Sequence, residues 1–182
     1  MLIQSQEIVL SNGVNVEIRS AVASDVESII EHRKITSSET YYLDRYPEEC
    51  NFDIEKLRNT LIRMENSPNE FTVTAFVDGK VIGDLGVVAV SPYIKYNHRA
   101  CMGISVQQQF CNCGIGSIML ETAIEQAREN GFEQLELGVF SDNDSAIHLY
   151  EKYGFKKFGI QPNAFKLKDG SYRDEIIMVN MF

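Results

Sequence analysis

No apolar run among the 182 residues approaches the ~20 that a membrane-spanning helix needs. The opening stretch, MLIQSQEIVLSNG, has no basic segment followed by an apolar core, so it does not read as a secretory signal. Basic residues are scarce: 17 Lys and Arg against 26 Asp and Glu leave a formal charge of −9. A nucleic-acid footprint needs a basic stripe, so nucleic acid is excluded as a partner, and a membrane with it. The acidic field would draw a cationic small molecule or a basic peptide. Cysteines are few as well. Cys50, Cys101, Cys111 and Cys113 match neither paired zinc knuckles nor a secreted disulfide framework. Cys111 and Cys113, one residue apart, make a poor metal clip, so no metal is expected. Reduced thiols in a cytoplasmic protein are the expectation. Repeats, low-complexity segments and Pro-rich linkers are missing too. With 44% hydrophobic residues, the chain reads as one domain over residues 1–182, able to bury a core without disulfides or a structural metal.

What is present is an ordered series of strands and helices. Val14, Val16 and Ile18 alternate with polar residues as a first strand. Ser24 and Glu27 have the spacing of a capping box, ahead of a helix with Val26, Ile29 and Ile30 on its apolar face. Periodicity fails from Thr36 to Cys50. Asn51 or Asp53 can cap a second helix with Ile54, Leu57, Leu61 and Met64 inward. A strand over Phe71–Val77 meets Asp78-Gly79, a two-residue hairpin signal, and returns through KVIGDLGVVAVS, where Gly83 and Gly86 suggest a bulge or a close backbone approach. ACMGISV is a fourth strand, and Leu135, Leu137 and Val139 mark a fifth. A closing hairpin runs from Phe155–Lys166 through Asp169-Gly170 to Tyr172–Met181. The order β-α-α-β-β-β-α-β-α-β-β predicts an α/β (α+β) fold. Its mixed central sheet has about seven strands flanked by about four helices, and strands four and five are parallel neighbours.

Between those two strands, Gly114-Ile115-Gly116-Ser117 opens a helix that stops at Asn130-Gly131. A helix start presents backbone N–H groups without internal partners and positive potential, and glycines let a diphosphate approach. A P-loop is excluded because Ser117-Ile118, not Lys-Ser/Thr, follows Gly116. A dinucleotide fingerprint is excluded because Met119 stands where a third glycine is needed. Further on, Asn143, Ala146 and Tyr150 share one face of a short helix that ends at Gly154. The carboxyl ends of the parallel pair would splay around the helix-opening loop, where ligand crevices form.

These pieces resemble the GNAT superfamily of N-acetyltransferases over nearly the whole chain. The resemblance rests on GISV before the loop, CGIGS opening the helix, N-x-x-A-x-x-x-Y-x-x-x-G-F across Asn143–Phe155, and DGSYRDEIIM in the last hairpin. It implies the GNAT fold with splayed strands, acetyl-CoA as co-substrate without a metal, and direct attack by a primary amine in a ternary complex. By resemblance, Cys111, Asn112, Cys113, Gly114, Ile115, Gly116 and Ser117 hold the pyrophosphate. Ile104, Ser105 and Val106 polarise the thioester carbonyl, and Asn143 and Ala146 meet the pantetheine arm. Tyr150, by periodicity a core aromatic, matches the tyrosine that protonates the leaving thiolate. Family members are often homodimers, which these residues neither require nor exclude.

Two departures stand out. The family pattern is Gln/Arg-x-x-Gly-x-Gly/Ala, and its first position here is Cys111. Many relatives carry a Glu on the fourth strand where this chain has Cys101. The general base is therefore open among Glu39, Asp84, His98, Glu136 and water. Glu39, Tyr41, Tyr42, Asp44, Tyr46, Glu48 and Glu49 form an acidic, aromatic cluster suited to a cationic acceptor, or else an ordinary solvated loop. Two other readings remain: acetylation of a protein N-terminus or lysine, and a non-catalytic acyl-CoA-binding module.

Overall fold

In a computed structural model describing residues 1–182, one sheet is built from β1 (Gln6–Val9), β2 (Asn15–Arg19), β3 (Phe71–Val77), β4 (Lys80–Ala89), β5 (Arg99–Val106), β6 (Gln134–Phe140), β7 (Lys156–Lys166) and β8 (Tyr172–Met181). Its order is β1-β2-β3-β4-β5-β6-β8-β7. The helices are α1 (Val26–Glu39), α2 (Ile54–Glu65), α3 (Ile115–Glu129) and α4 (Asp144–Lys152). The fold class expected from the element order is thus observed, with eight strands in place of about seven. The additional strand is β1. Its residues QEIV are largely exposed on an edge and carry no alternating apolar signal.

All neighbouring strands are antiparallel except β5 and β6, the fourth and fifth of the sequence reading. That parallel pair is short: Arg99↔Gln134, Ala100↔Leu135 and Cys101↔Glu136. Beyond Cys101 the two strands part, while β4 continues to pair with β5 as far as Val106, and β8 with β6 as far as Phe140. At the closed end Arg99 grips Glu136 with two bonds, of 2.5 and 2.9 Å.

The helices cover opposite faces because successive strand residues point opposite ways. Val73 and Ala75 of β3 join the large core under α3, with Met119, Leu120, Ala123 and Ala127. Phe76, one residue on, joins a smaller core with Val26 and Ile29 of α1 and Leu61 of α2. The Asp78-Gly79 turn has φ of 49° and 74°, the two left-handed residues a tight hairpin needs. Gly83 is a close approach: a Cβ there would lie 2.8 Å from Met119 Sδ. The ladder register slips beside it, between Ala75 and Phe76. Gly86, by contrast, has open space around it.

Local expectations fail in three places. The Ser24–Glu27 capping box does not form; Ala23–Asp25 is a 3-10 turn, and the Asp25 carboxylate accepts from Val22 N–H at 2.8 Å while pairing with Arg19. Helix α1 runs through Thr36 to Glu39, because Thr36 and Ser37 are buried against the fold and Thr36 Oγ1 donates back to the His32 carbonyl. At α2 the cap is Asp53, accepting from Lys56 N–H, and Ile54 faces solvent.

Candidate functional site

The parting of β5 and β6 opens a cleft of about 670 Å³. The loop before α3 forms one end of it. Gly114 is the helix N-cap with φ of 93°, a left-handed conformation that L residues other than glycine rarely adopt. Asn112 is left-handed as well, at 61°. The first-turn N–H groups of Ile115, Gly116 and Ser117 therefore lie ahead of the first i→i−4 bond, which is Ile118 N–H to the Gly114 carbonyl. Gly116 has a packing duty as well, since a Cβ there would meet Leu149 of α4 at 3.4 Å.

Of the expected site residues, Ile104, Ser105, Val106, Cys111, Asn112, Gly114, Ile115, Gly116, Ser117, Asn143, Ala146 and Tyr150 all line this one cleft. Cys113 does not. Its sulfur accepts from Asn12 Nδ2 at 3.2 Å, and its carbonyl accepts from Ser11, so it faces the β1–β2 turn. The Cys111 thiol is pushed up from its ordinary value, chiefly by partial burial and then by Glu39. Asn143 caps α4 by accepting from Ala146 N–H at 3.3 Å, which leaves its amide N–H groups free. Tyr150 is buried beside Phe155 and has no hydrogen-bond partner within the protein. Burial alone pushes its phenol up to about 12.

The carboxylates considered for a base are otherwise engaged. Glu39 accepts from Gln108 N–H at 2.8 Å. Asp84 is held by Arg33 and Thr74, at 3.3 and 3.2 Å. Glu136 is held by Arg99 and Gln134, and Arg99 keeps its carboxyl below the usual range. His98 precedes β5 at the paired end, away from the opening. Cys101 occupies the last paired position and does not line the cleft; its thiol is raised by burial and by Glu136.

At the opposite end, only Tyr42 and Asp44 of the acidic, aromatic cluster reach the cleft. Tyr41 and Tyr42 donate to Asp142, and Glu48 pairs with Lys168, whose ammonium lies 4.1 Å from the Tyr46 ring centre. These contacts tie the segment after α1 to the β6–α4 turn and to the β7–β8 hairpin. Phe140 and Phe165 stack there at 3.8 Å.

Two residues were not anticipated. His32 of α1 is fully buried, with Nε2 2.8 Å from Ser105 Oγ. Glu175 of β8 lines the cleft beside Phe140 and Phe165. Their spacing carries a weak signal, since Ile29 and His32 share a helix face, but the partner strands are visible only in the folded chain.

Among known proteins, the sequence matches the Acetyltransferase (GNAT) family over residues 29–155. An L-amino acid N-acetyltransferase of Escherichia coli (strain K12) is 32% identical over 121 residues, which are 65% of this chain and 73% of that one. The fold is similar to that of a GNAT-family acetyltransferase from Streptococcus pneumoniae, with a TM-score of 0.87, 27% identity, and coverage of 92% of this chain and 99% of that one. It is also similar to a phosphinothricin acetyltransferase from Sinorhizobium meliloti solved in complex with AcCoA, with a TM-score of 0.79, 21% identity, and coverage of 92% and 88%.

Proposed function

Because this chain belongs to the GNAT acetyltransferase family, we propose that it transfers the acetyl group of acetyl-CoA to the primary amine of a small cationic molecule, with residues 1–182 acting as one domain. One observation carries the reading: apart from Cys113, every residue expected at the cofactor site or as the acid faces the same cleft between β5 and β6.

The residues fit acetyl-CoA. The free N–H groups at the start of α3 and the α3 dipole suit the pyrophosphate, and no Lys or Arg lines the cleft to do so instead. Asn143, engaged through its oxygen, keeps its amide N–H groups for the pantetheine arm. Past Cys101, the β6-facing N–H groups of Ile104–Val106 have lost their strand partner. They are preorganised donors for the thioester carbonyl. Tyr150 protonates the departing thiolate; with its phenol at about 12 it stays protonated across the working range.

The acceptor end supports a cation. Its charged lining residues are Asp44 and Glu175, both acidic, beside the Phe140–Phe165 stack and Tyr42. Much of the remaining acidic cluster is tied internally, so the attraction is local to the cleft. The test is thiol release from acetyl-CoA with a panel of polyamines, amino acids and peptides. Polyamines should react best. Preference for an amino acid or an acidic amine would defeat the substrate class, and no thiol release with any amine would defeat transfer itself.

A further inference from the structure

We propose that Glu175 receives the acceptor ammonium and removes its proton, an assignment that rests on the acetyl-transfer reading above. Glu175 lies on β8 directly opposite Phe140 of β6, and Gly138 is diagonal to it on the same face. Gly138 brings no side chain to that face. A Cβ built there would lie 2.8 Å from Glu175 Cδ and closer still to Oε1. The carboxylate therefore occupies the gap that Gly138 leaves. It reaches the open edge of β6 from a backbone one strand away.

Glu175 makes no hydrogen bond or ion pair within the protein, unlike Glu39, Asp84 and Glu136. It is partly buried against the cleft that also holds Tyr150, Phe140 and Phe165. An unpaired carboxylate in the cleft wall is free to take an arriving ammonium as its ion-pair partner. Asp44, the only other charged residue lining the cleft, is largely exposed and lies near Arg45, so it is placed to attract and not to deprotonate.

The proton balance closes. Glu175 takes one proton from R–NH3⁺, and the nitrogen lone pair forms the C–N bond at the thioester carbonyl carbon. As the C–S bond breaks, the thiolate takes the Tyr150 proton. The second proton shed by nitrogen restores the phenol, and Glu175 returns its proton to solvent. One amide, one thiol and one released proton result.

The test compares wild type, Glu175→Gln and Gly138→Ala, using the best amine of the panel between pH 6 and pH 10. Glu175→Gln should lower kcat/KM for the amine by about 10²-fold at pH 7. The deficit should shrink as rising pH supplies neutral amine, and CoA affinity by calorimetry should stay within about twofold if cofactor contacts are untouched. Gly138→Ala keeps the carboxylate but displaces it, a movement confined to the end of a flexible side chain. It should lower kcat while CoA still binds, and the double variant should be no slower than Glu175→Gln. An active wild type whose Glu175→Gln variant keeps its rate and pH profile overturns the assignment alone, as does a Gly138→Ala enzyme of full rate. A wild type inactive toward every amine overturns the transfer reading and this assignment together.

Discussion

His32 Nε2 lies 2.8 Å from Ser105 Oγ, joining a fully buried helix residue to the strand that edges the cleft. The other ring nitrogen, Nδ1, is buried with no partner. Burial holds the imidazole below its ordinary value of 6.5, against an upward pull from Asp84 and with Arg33 adding to the lowering. The ring is thus neutral in the fold. Its contact fixes the Ser105 hydroxyl toward α1, so the cleft wall at β5 is set from behind.

Stability should therefore depend on this histidine in mild acid. A folded-state value below the unfolded one means that the unfolded chain binds the extra proton first. The stabilisation is complete above about pH 6.5 and is lost as pH falls from there toward the depressed folded value. Urea unfolding of wild type and His32→Gln across pH 5–8 should show this slope only in wild type. Ser105→Ala, which strands Nε2 as well, should cost ~1–3 kcal/mol at neutral pH.

Tyr150→Phe should reduce kcat by about 10²-fold with CoA affinity unchanged, since the proposed mechanism asks the phenol for a proton and not a binding contact. Because burial lifts Tyr150 to about 12, no alkaline loss of turnover from its ionisation should appear below roughly pH 11. Initial rates and calorimetry on the same preparations measure both.

Gly83→Ala tests packing away from the cleft. The added methyl would lie 2.8 Å from Met119 Sδ and 3.3 Å from its Cε. Overpacking typically costs ~1–3 kcal/mol, and methionine's flexibility should hold this case near ~1. Thermal unfolding should show a modest drop in Tm, with CoA affinity preserved.

Asp44→Asn should raise KM for a diamine and leave KM for acetyl-CoA alone. Its side chain is largely exposed, so the effect should fade with salt. A KM for the diamine that ignores both the substitution and ionic strength would remove Asp44 from acceptor attraction.

Much of the end of the cleft formed by α3 and α4 was legible in the sequence because it is local. The Gly114 cap, the Asn143 cap and the end of α4 at Gly154 are each decided by a few adjacent residues with distinct backbone demands. The acceptor end is not local. Glu175 reaches the cleft because β8 pairs with β6 in one register and Gly138 leaves room, and both facts lie outside any sequence window. His32 falls inside the helix expected from the sequence, but its partner Ser105 stands on a distant strand, so only tertiary burial reveals the pairing. Strand β1 was missed for the opposite reason: an exposed edge strand places few demands on its side chains. Cys113 belongs by sequence to the loop before α3, but its contacts with the β1–β2 turn hold it away from the cleft.

Most sheets keep their unpaired main chain at the periphery, where lysines, bulges and short strands guard it. Here the parallel pair stops after Cys101 and Glu136, so two bare strand edges face each other in the middle of the sheet. Any extended molecule with alternating donors and acceptors can enter there as a surrogate strand and complete the ladder. The protein is, in that sense, a sheet with one strand left out, a place the proposed mechanism gives to the reactant.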